Sequence, residues 1–320
     1  MKLFITGATG SLGTKTVELL LKQNHEIYAL VQSKSKTKKL KEKGINTIIG
    51  NLFDKKFMIE NTKGFDGLIH LASSVPKKFN TKSKDWNDHI KLQIDAVKIL
   101  ANVIMRNNIS FYIQPTSLLG YGHRKDNWID ETIKLPYPLK TFYKLDQDYL
   151  DVLELSVKNE YILNTVFKGH FPRIILRFGL IYGPESFHTE ELLEQVEKNV
   201  FPIIDKGKSY LNLLHVDDAA SAIAYSVNNY KKLLEQTYNI SDDNPVTYDS
   251  FVRFLAKKLN AKDPKVVGPK IGNMLIGKLE ANIMLSSFRN KNGKFKQETS
   301  WNPHFKSYRE GFESVLEILR

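Results

Sequence analysis

The chain has 320 residues, 42% of them hydrophobic, and 47 Lys and Arg against 35 Asp and Glu, for a formal charge of +12. That length suits one large α/β domain with a smaller lobe, or two domains, and the hydrophobic content excludes disorder. With no cysteine, disulfides, thiolate nucleophiles and cysteine-ligated metals are excluded. No signal-peptide pattern opens the chain and no stretch nears the ~20 apolar residues of a membrane span, so a soluble cytoplasmic protein is expected.

Apolar spacing predicts a strand over Lys2–Thr6 and a helix over Ser11–Gln23, with Leu12, Val17, Leu19, Leu20 and Leu21 near helical periodicity. A strand over His25–Val31, a lysine-rich helical stretch, a short strand over Thr47–Gly50 and a strand over Gly67–Ala72 follow. A long helix is expected over Trp86–Arg106, a strand over Ser110–Gln114, a helix over Leu139–Val157 and a strand over Arg173–Phe178. Strands alternating with helices predict βαβ units and a parallel sheet. Beyond Pro184 helices are expected over Glu190–Asn199, Asp217–Asn228 and Thr247–Leu259, the last capped near Thr247. These later segments cannot all extend the sheet. The expected organisation is a doubly wound, Rossmann-type α/β domain over residues 1–180, with 211–230 contributing, and an interleaved, smaller substrate-binding lobe over 181–320.

The lysines cluster at Lys34, Lys36, Lys38, Lys39, Lys41 and Lys43, and again at Lys77, Lys78, Lys82 and Lys84. No stacking aromatics are interleaved with them and no nucleic-acid module is legible. A solvated lysine-rich surface is expected, with no nucleic-acid or membrane partner.

The sharpest motif is Thr6-Gly7-Ala8-Thr9-Gly10-Ser11-Leu12-Gly13, which follows a strand and opens a helix. Gly7 permits the tight turn, Gly10 lets the backbone approach a pyrophosphate, and Gly13 permits close helix–strand packing. The free amides and dipole of the helix start then face the anion, which makes Thr9, Ser11 and Leu12 cofactor contacts as well. An acidic residue about 20 positions further on would take the ribose 2′-hydroxyl of NAD. The second strand ends instead in Val31-Gln32-Ser33-Lys34-Ser35-Lys36. Those hydroxyls and lysines suit a 2′-phosphate, which favours NADP over NAD, although the lysines also fit a merely solvated surface.

Further blocks stand in order along the chain: Gly50-Asn51-Leu52, His70-Leu71-Ala72-Ser73, Pro115-Thr116-Ser117-Leu118-Leu119-Gly120-Tyr121-Gly122, Leu176-Arg177-Phe178-Gly179-Leu180-Ile181-Tyr182-Gly183-Pro184, Leu214-His215-Val216-Asp217-Asp218-Ala219-Ala220, Tyr238-Asn239-Ile240-Ser241 and Trp301-Asn302-Pro303. Together with the glycine loop they make the chain resemble the extended short-chain dehydrogenase/reductase superfamily over nearly its whole length. The resemblance implies that Leu71, Ala72 and Ser73 line the phosphate and ribose side of the cofactor, that Asn51 and Leu52 lie by the adenine, and that Phe178 belongs to the same site. Ser117, four residues before Tyr121, matches the family's catalytic serine, whose hydroxyl meets the reacting oxygen. A strand-end serine bonded to backbone is the plainer alternative.

The family's acid/base is a tyrosine with a lysine four residues later, a spacing that puts both on one helix face. The lysine charge lowers the phenol pKa and its donors hold the nicotinamide ribose. This chain offers Tyr143-Lys144-Leu145-Asp146-Gln147, 26 residues after Ser117, with Gln147 where the lysine belongs. Tyr137 and Tyr149 have Thr141 and Leu153 at the same offset. Gln147 can hydrogen-bond a ribose but carries no charge, so Tyr143 is expected to stay nearer its solution pKa of about 10. An amphipathic packing role for Tyr143 is the alternative.

Nucleotide-sugar enzymes of this superfamily carry Asn where this chain has Leu180, and Arg-Asp where it has Leu211-Asn212. A pyrophosphate-bearing substrate wants bidentate arginine. The block from Arg177 to Pro184 is similar to the dihydroflavonol-reductase and hydroxysteroid-dehydrogenase branches. An NAD(P)-dependent oxidoreductase acting on a small, mostly uncharged carbonyl or alcohol is therefore expected. A catalytically weak dinucleotide sensor and a nucleotide-sugar epimerase or dehydratase are the alternatives. His70, His123, His170, His188 and His215 lack metal-ligand spacing, and no G-x-S-x-G elbow suggests acyl transfer. The family often dimerises through two helices per subunit, here the predicted Trp86–Arg106 and Leu139–Val157 helices. Leu145, Leu150, Val152, Leu153 and Leu155 would serve either that interface or the subunit's own core.

Overall fold

The computed structural model describes residues 1–77, 81–136, 139, 147–166 and 171–319. Near-continuous apolar runs such as Leu3-Phe4-Ile5 and Ile174-Ile175-Leu176 suit strands covered on both faces. They form β1 (Lys2–Thr6), β2 (Glu26–Val31), β3 (Asn46–Ile49), β4 (Gly67–His70), β5 (Phe111–Ser117), β6 (Arg173–Phe178) and β7 (Gln236–Ile240). These make one seven-stranded sheet in the order β7-β6-β5-β4-β1-β2-β3, every pairing parallel. The order reverses between β1 and β4, the crevice where doubly wound folds receive ligands. This is the expected Rossmann-type α/β fold.

On one face the Ser11–Lys22 helix buries Val17 and Leu20 against Leu3 and Ile5, and Ala219, Ala222 and Ile223 of the Val216–Asn228 helix join them. Small alanines on the latter helix let the two backbones approach closely. On the other face Ala96, Val97 and Leu100 of the Asn87–Asn107 helix pack with Phe4, Leu68, Tyr112 and Ile175. A separate apolar cluster sits beyond the sheet. In it Leu211 and Leu213 meet Phe251 and Leu255 of the Tyr248–Lys258 helix, and Phe312 and Val315 of the Tyr308–Leu319 helix. Burying a side chain of this size contributes about 1.5–3 kcal/mol. Among the described residues no helix is long and apolar enough to cross a membrane.

Several boundaries differ from the sequence reading. The Gly67–Ala72 strand ends at His70, paired with Thr6; the Leu71 amide still donates to the Thr6 carbonyl at 2.9 Å, and the Leu71 and Ala72 backbone then packs against Gly7. The expected Leu139–Val157 helix is two helices, Gln147–Leu153 and Leu155–Tyr161. Leu139 lies outside both; its amide donates to Glu154 Oε1 at 3.0 Å, beside the break. Residues 140–146 lie outside the described residues. β5 runs three residues further than expected, to Ser117. Gln236–Ile240, from the later chain, is the seventh strand of the sheet.

Candidate active site

The glycine loop follows β1 and Gly10 opens the helix. Gly7 holds φ at 78°, and a Cβ built there would overlap the Leu71 and Ala72 backbone. A Cβ at Gly13 would overlap the Gly7 carbonyl oxygen. Both glycines are thus required by the protein's own packing. Gly10 is different. Its φ of −77° is open to any residue, and the only neighbour of a Cβ there is the Gly7 carbonyl oxygen at 3.5 Å, an ordinary contact. Neither strain nor packing among the described residues explains a glycine at this exposed position, whereas a ligand that must approach the backbone closely would. No side chain caps the first helical turn and no acid stands in it, so its amides face outward with the positive end of the dipole. The residues therefore fit a pyrophosphate at Gly7, Thr9, Gly10, Ser11, Leu12 and Gly13.

A relay of hydrogen bonds fixes the neighbouring wall. His70 Nε2 donates to the Leu92 carbonyl at 3.0 Å, so Nδ1 accepts from the Thr6 hydroxyl at 2.6 Å. The Ala72 amide in turn donates to Thr6 Oγ1 at 3.4 Å. Burial pushes the His70 imidazole down to about 4, so it stays neutral.

Gln32, Ser33 and Lys34 are exposed after the end of β2, and Asn51 and Leu52 follow the end of β3. Parallel pairing puts these ends on the same sheet edge as the loop. The Ser33 and Ser35 hydroxyls lie 2.8 Å apart. Asn51 Oδ1 accepts the Phe53 amide at 3.0 Å, holding that turn. No carboxylate stands among Gln32, Ser33 and Lys34.

A cavity of about 470 Å³ opens between this edge and the lobe. Leu12, Leu71, Ala72, Ser73, Ser117 and Phe178 line its sheet side, and Leu211, Leu213, Phe251, Met284 and Phe312 its lobe side. No Lys or Arg lines it among the described residues. The backbone amide of Ser117 donates to Ser156 Oγ at 2.9 Å, and Ser117 Oγ accepts the Leu119 amide at 3.2 Å. Among the described residues the Ser117 hydroxyl hydrogen has no acceptor, so it is available to a bound oxygen. Behind it, Thr116 Oγ1 donates to Glu160 Oε1 at 3.1 Å, and Arg177 clasps the same carboxylate through two bonds of 2.8 and 2.6 Å. Arg177 also donates to the Tyr121 hydroxyl at 2.5 Å. This buried clasp ties β5 to β6 and to the Leu155–Tyr161 helix beneath Ser117.

Tyr143 lies outside the described residues. Gln147 begins the Gln147–Leu153 helix, and its side chain lies outside them as well. Val152, Leu153 and Leu155 are buried within the subunit.

The cavity also gathers residues to which sequence reading gave no role in this site. His89 Nδ1 accepts the Ser74 amide at 3.4 Å and sits 3.2 Å from Ser73 Oγ, and burial pushes it down to about 4. His188, near the start of the Phe187–Glu197 helix, donates to the Pro76 carbonyl at 2.9 Å, tying lobe to loop. Glu280, on the Lys278–Leu285 helix, is the one carboxylate in the described lining. No short spacing in the sequence joins these residues; only tertiary folding does.

Comparison with known proteins agrees with this fold. The model of the NAD dependent epimerase/dehydratase family matches residues 3–241. The chain is 24% identical over 269 residues to a decarboxylating sterol-4-alpha-carboxylate 3-dehydrogenase of Dictyostelium discoideum, covering 82% of this chain and 78% of that protein. It is 21% identical to a 4-hydroxy-2-methyl-3-oxo-4-farnesyl-3,4-dihydroquinoline-1-oxide ketoreductase of Stigmatella aurantiaca, covering 82% and 74%. Among solved structures, a human epimerase family protein with NADPH superposes with a TM-score of 0.79 at 15% identity, over 99% of each chain. UDP-glucuronic acid 4-epimerase from Bacillus cereus, in complex with UDP-glucuronic acid and NAD, gives a TM-score of 0.76 at 15% identity over 99% and 98%.

Proposed function

The chain belongs to the NAD dependent epimerase/dehydratase family and is an NAD(P)-dependent oxidoreductase; on that premise we propose that its substrate is a small, mostly uncharged carbonyl or alcohol compound and its preferred cofactor NADP. The observation that carries the substrate reading is the cavity: its walls are largely aliphatic and aromatic, and no cation lines it among the described residues. A sugar nucleotide's pyrophosphate would be left unpaired there. The cofactor preference is supported by Gln32, Ser33 and Lys34, hydroxyl and cation where an NAD enzyme needs a carboxylate.

A bound nicotinamide supplies or accepts the hydride. Ser117 donates its free hydroxyl hydrogen to the reacting oxygen, and Tyr143 exchanges the proton there. With Gln147 in place of a lysine, no neighbouring cation at that offset favours the phenolate, so alcohol oxidation, in which Tyr143 takes up the proton, is slow at neutral pH and rises toward alkaline pH. Gln147→Lys is expected to raise neutral-pH turnover and move the rise to lower pH; an unchanged profile would remove Tyr143 from the proton-transfer role. We extend the proposal to a cytoplasmic homodimer; Met105 on the Asn87–Asn107 helix and Tyr161 at the end of the Leu155–Tyr161 helix, 50% and 65% exposed, support the dimer.

Incubation with NADPH and a panel of apolar ketones and aldehydes tests the reading. Oxidation of NADPH with at least one is expected. Silence across the panel, with retained NAD and turnover of a UDP-sugar, would replace it with the epimerase reading.

A further inference from the structure

Glu280 is 7% exposed and is the one carboxylate in the described, largely apolar lining of the cavity. Its Oε1 accepts two bonds from Thr81, from the amide at 3.3 Å and the hydroxyl at 3.0 Å. Trp86 Nε1 donates to the same Thr81 hydroxyl at 2.9 Å, which turns that hydroxyl's hydrogen onto Glu280. The carboxyl group is thereby held in one orientation. Its second oxygen, Oε2, is buried and has no hydrogen-bond partner among the described residues. Ile283 and Met284, one turn further along the same helix face, line the same cavity. A bolt for Thr81 alone needs one oxygen; the second is a buried acceptor whose desolvation nothing among the described residues offsets.

We propose that Glu280 is the specificity anchor of the substrate site, taking on Oε2 a hydroxyl group that an otherwise apolar substrate carries away from the carbon that exchanges hydride. This rests on the substrate reading above and adds the substrate's second functional group. A hydroxyl suits the site in either protonation state, since it can donate to a carboxylate or accept from a carboxylic acid. An ammonium would require the ionised form, which burial disfavours here.

The test uses rigid ketone pairs that differ by one remote hydroxyl: cyclohexanone with 4-hydroxycyclohexanone, and 5α-androstan-3-one with its 17β-hydroxy form. Binding of each to the NADP-saturated protein is measured by calorimetry. The hydroxylated member of at least one pair is expected to bind roughly ten- to a hundred-fold tighter. Glu280→Leu should abolish that preference while affinity for the hydroxyl-free ketone is retained, and Glu280→Gln should keep part of it. Should Glu280→Leu fail to fold, the pair ratio in the wild type and in Glu280→Gln decides. Equal binding within every pair that binds would overturn the anchor and leave the apolar-substrate reading standing. No binding by any ketone, in protein that still binds NADPH, would overturn both.

Discussion

Gly10 and Gly13 stand three residues apart and carry opposite constraints. A side chain at Gly13 collides with the Gly7 carbonyl oxygen, so Gly13→Ala should destabilise the fold by about 1–3 kcal/mol or more. Gly10→Ala has room and ordinary dihedrals, so its stability should stay within about 1 kcal/mol of the wild type. Its dinucleotide affinity should nonetheless drop ten-fold or more. Urea unfolding and cofactor titration of the two variants separate packing from ligand approach; equal cofactor affinity in Gly10→Ala would remove the ligand's claim on that position. Arg177 and Glu160 are 8% and 5% exposed and bonded twice. Arg177→Met should cost about 3–5 kcal/mol by leaving the carboxylate buried and alone, and adding Glu160→Gln should recover much of it. The glycine loop was readable because its requirements lie within eight consecutive residues. Glu280 was not, because its partner Thr81 is 199 positions away and a lone glutamate carries no periodic signal.

At the scale of elements, His70 joins three of them: Thr6 on β1, its own β4 and Leu92 on the Asn87–Asn107 helix. Its folded pKa of about 4 lies below the ordinary 6.5, so between those values the unfolded chain binds the extra proton. Stability is therefore complete above pH 6.5 and falls as pH drops toward 4, by at most about 3 kcal/mol from this residue. Half-buried His89 and buried His215, also lowered to about 4, act with the same sign. Urea midpoints measured across that window should fall with acidification, and less steeply in His70→Gln; an identical slope in both proteins would contradict the assignment. The alternation of strands and helices up to β6 was legible because most of those strands, such as β1, β2 and β6, are dominated by apolar residues. β7 was not read as a strand, since Gln-Thr-Tyr-Asn-Ile is half polar. As an edge strand it pairs on one side only, with β6, and the Asn239 amide is taken by Glu131 Oε1 at 2.7 Å. The break at Glu154 was hidden for a related reason: apolar spacing continues across it while the Leu139 amide draws on that glutamate's side chain.

At the scale of the whole molecule, the cavity exists only because lobe helices close over the sheet edge, with His188 bonded to Pro76 and Glu280 to Thr81. The lobe's strands are two or three residues long, too short to announce themselves by periodicity, so its shape was beyond sequence reading although its apolar character was not. A cofactor that binds the folded chain alone must stabilise it: at a hundred times Kd the gain is about 2.7 kcal/mol. NADPH should raise the Tm more than NADH at equal concentration; the reverse order would assign the residues after β2 to a solvated surface. The most direct measurement is calorimetric titration of the pure protein with NADPH and with NADH. Saturable binding of both is predicted, tighter for NADPH and sharply weakened in Gly10→Ala. No heat from either nucleotide at millimolar concentration, in protein shown to be folded, would contradict the account at its centre.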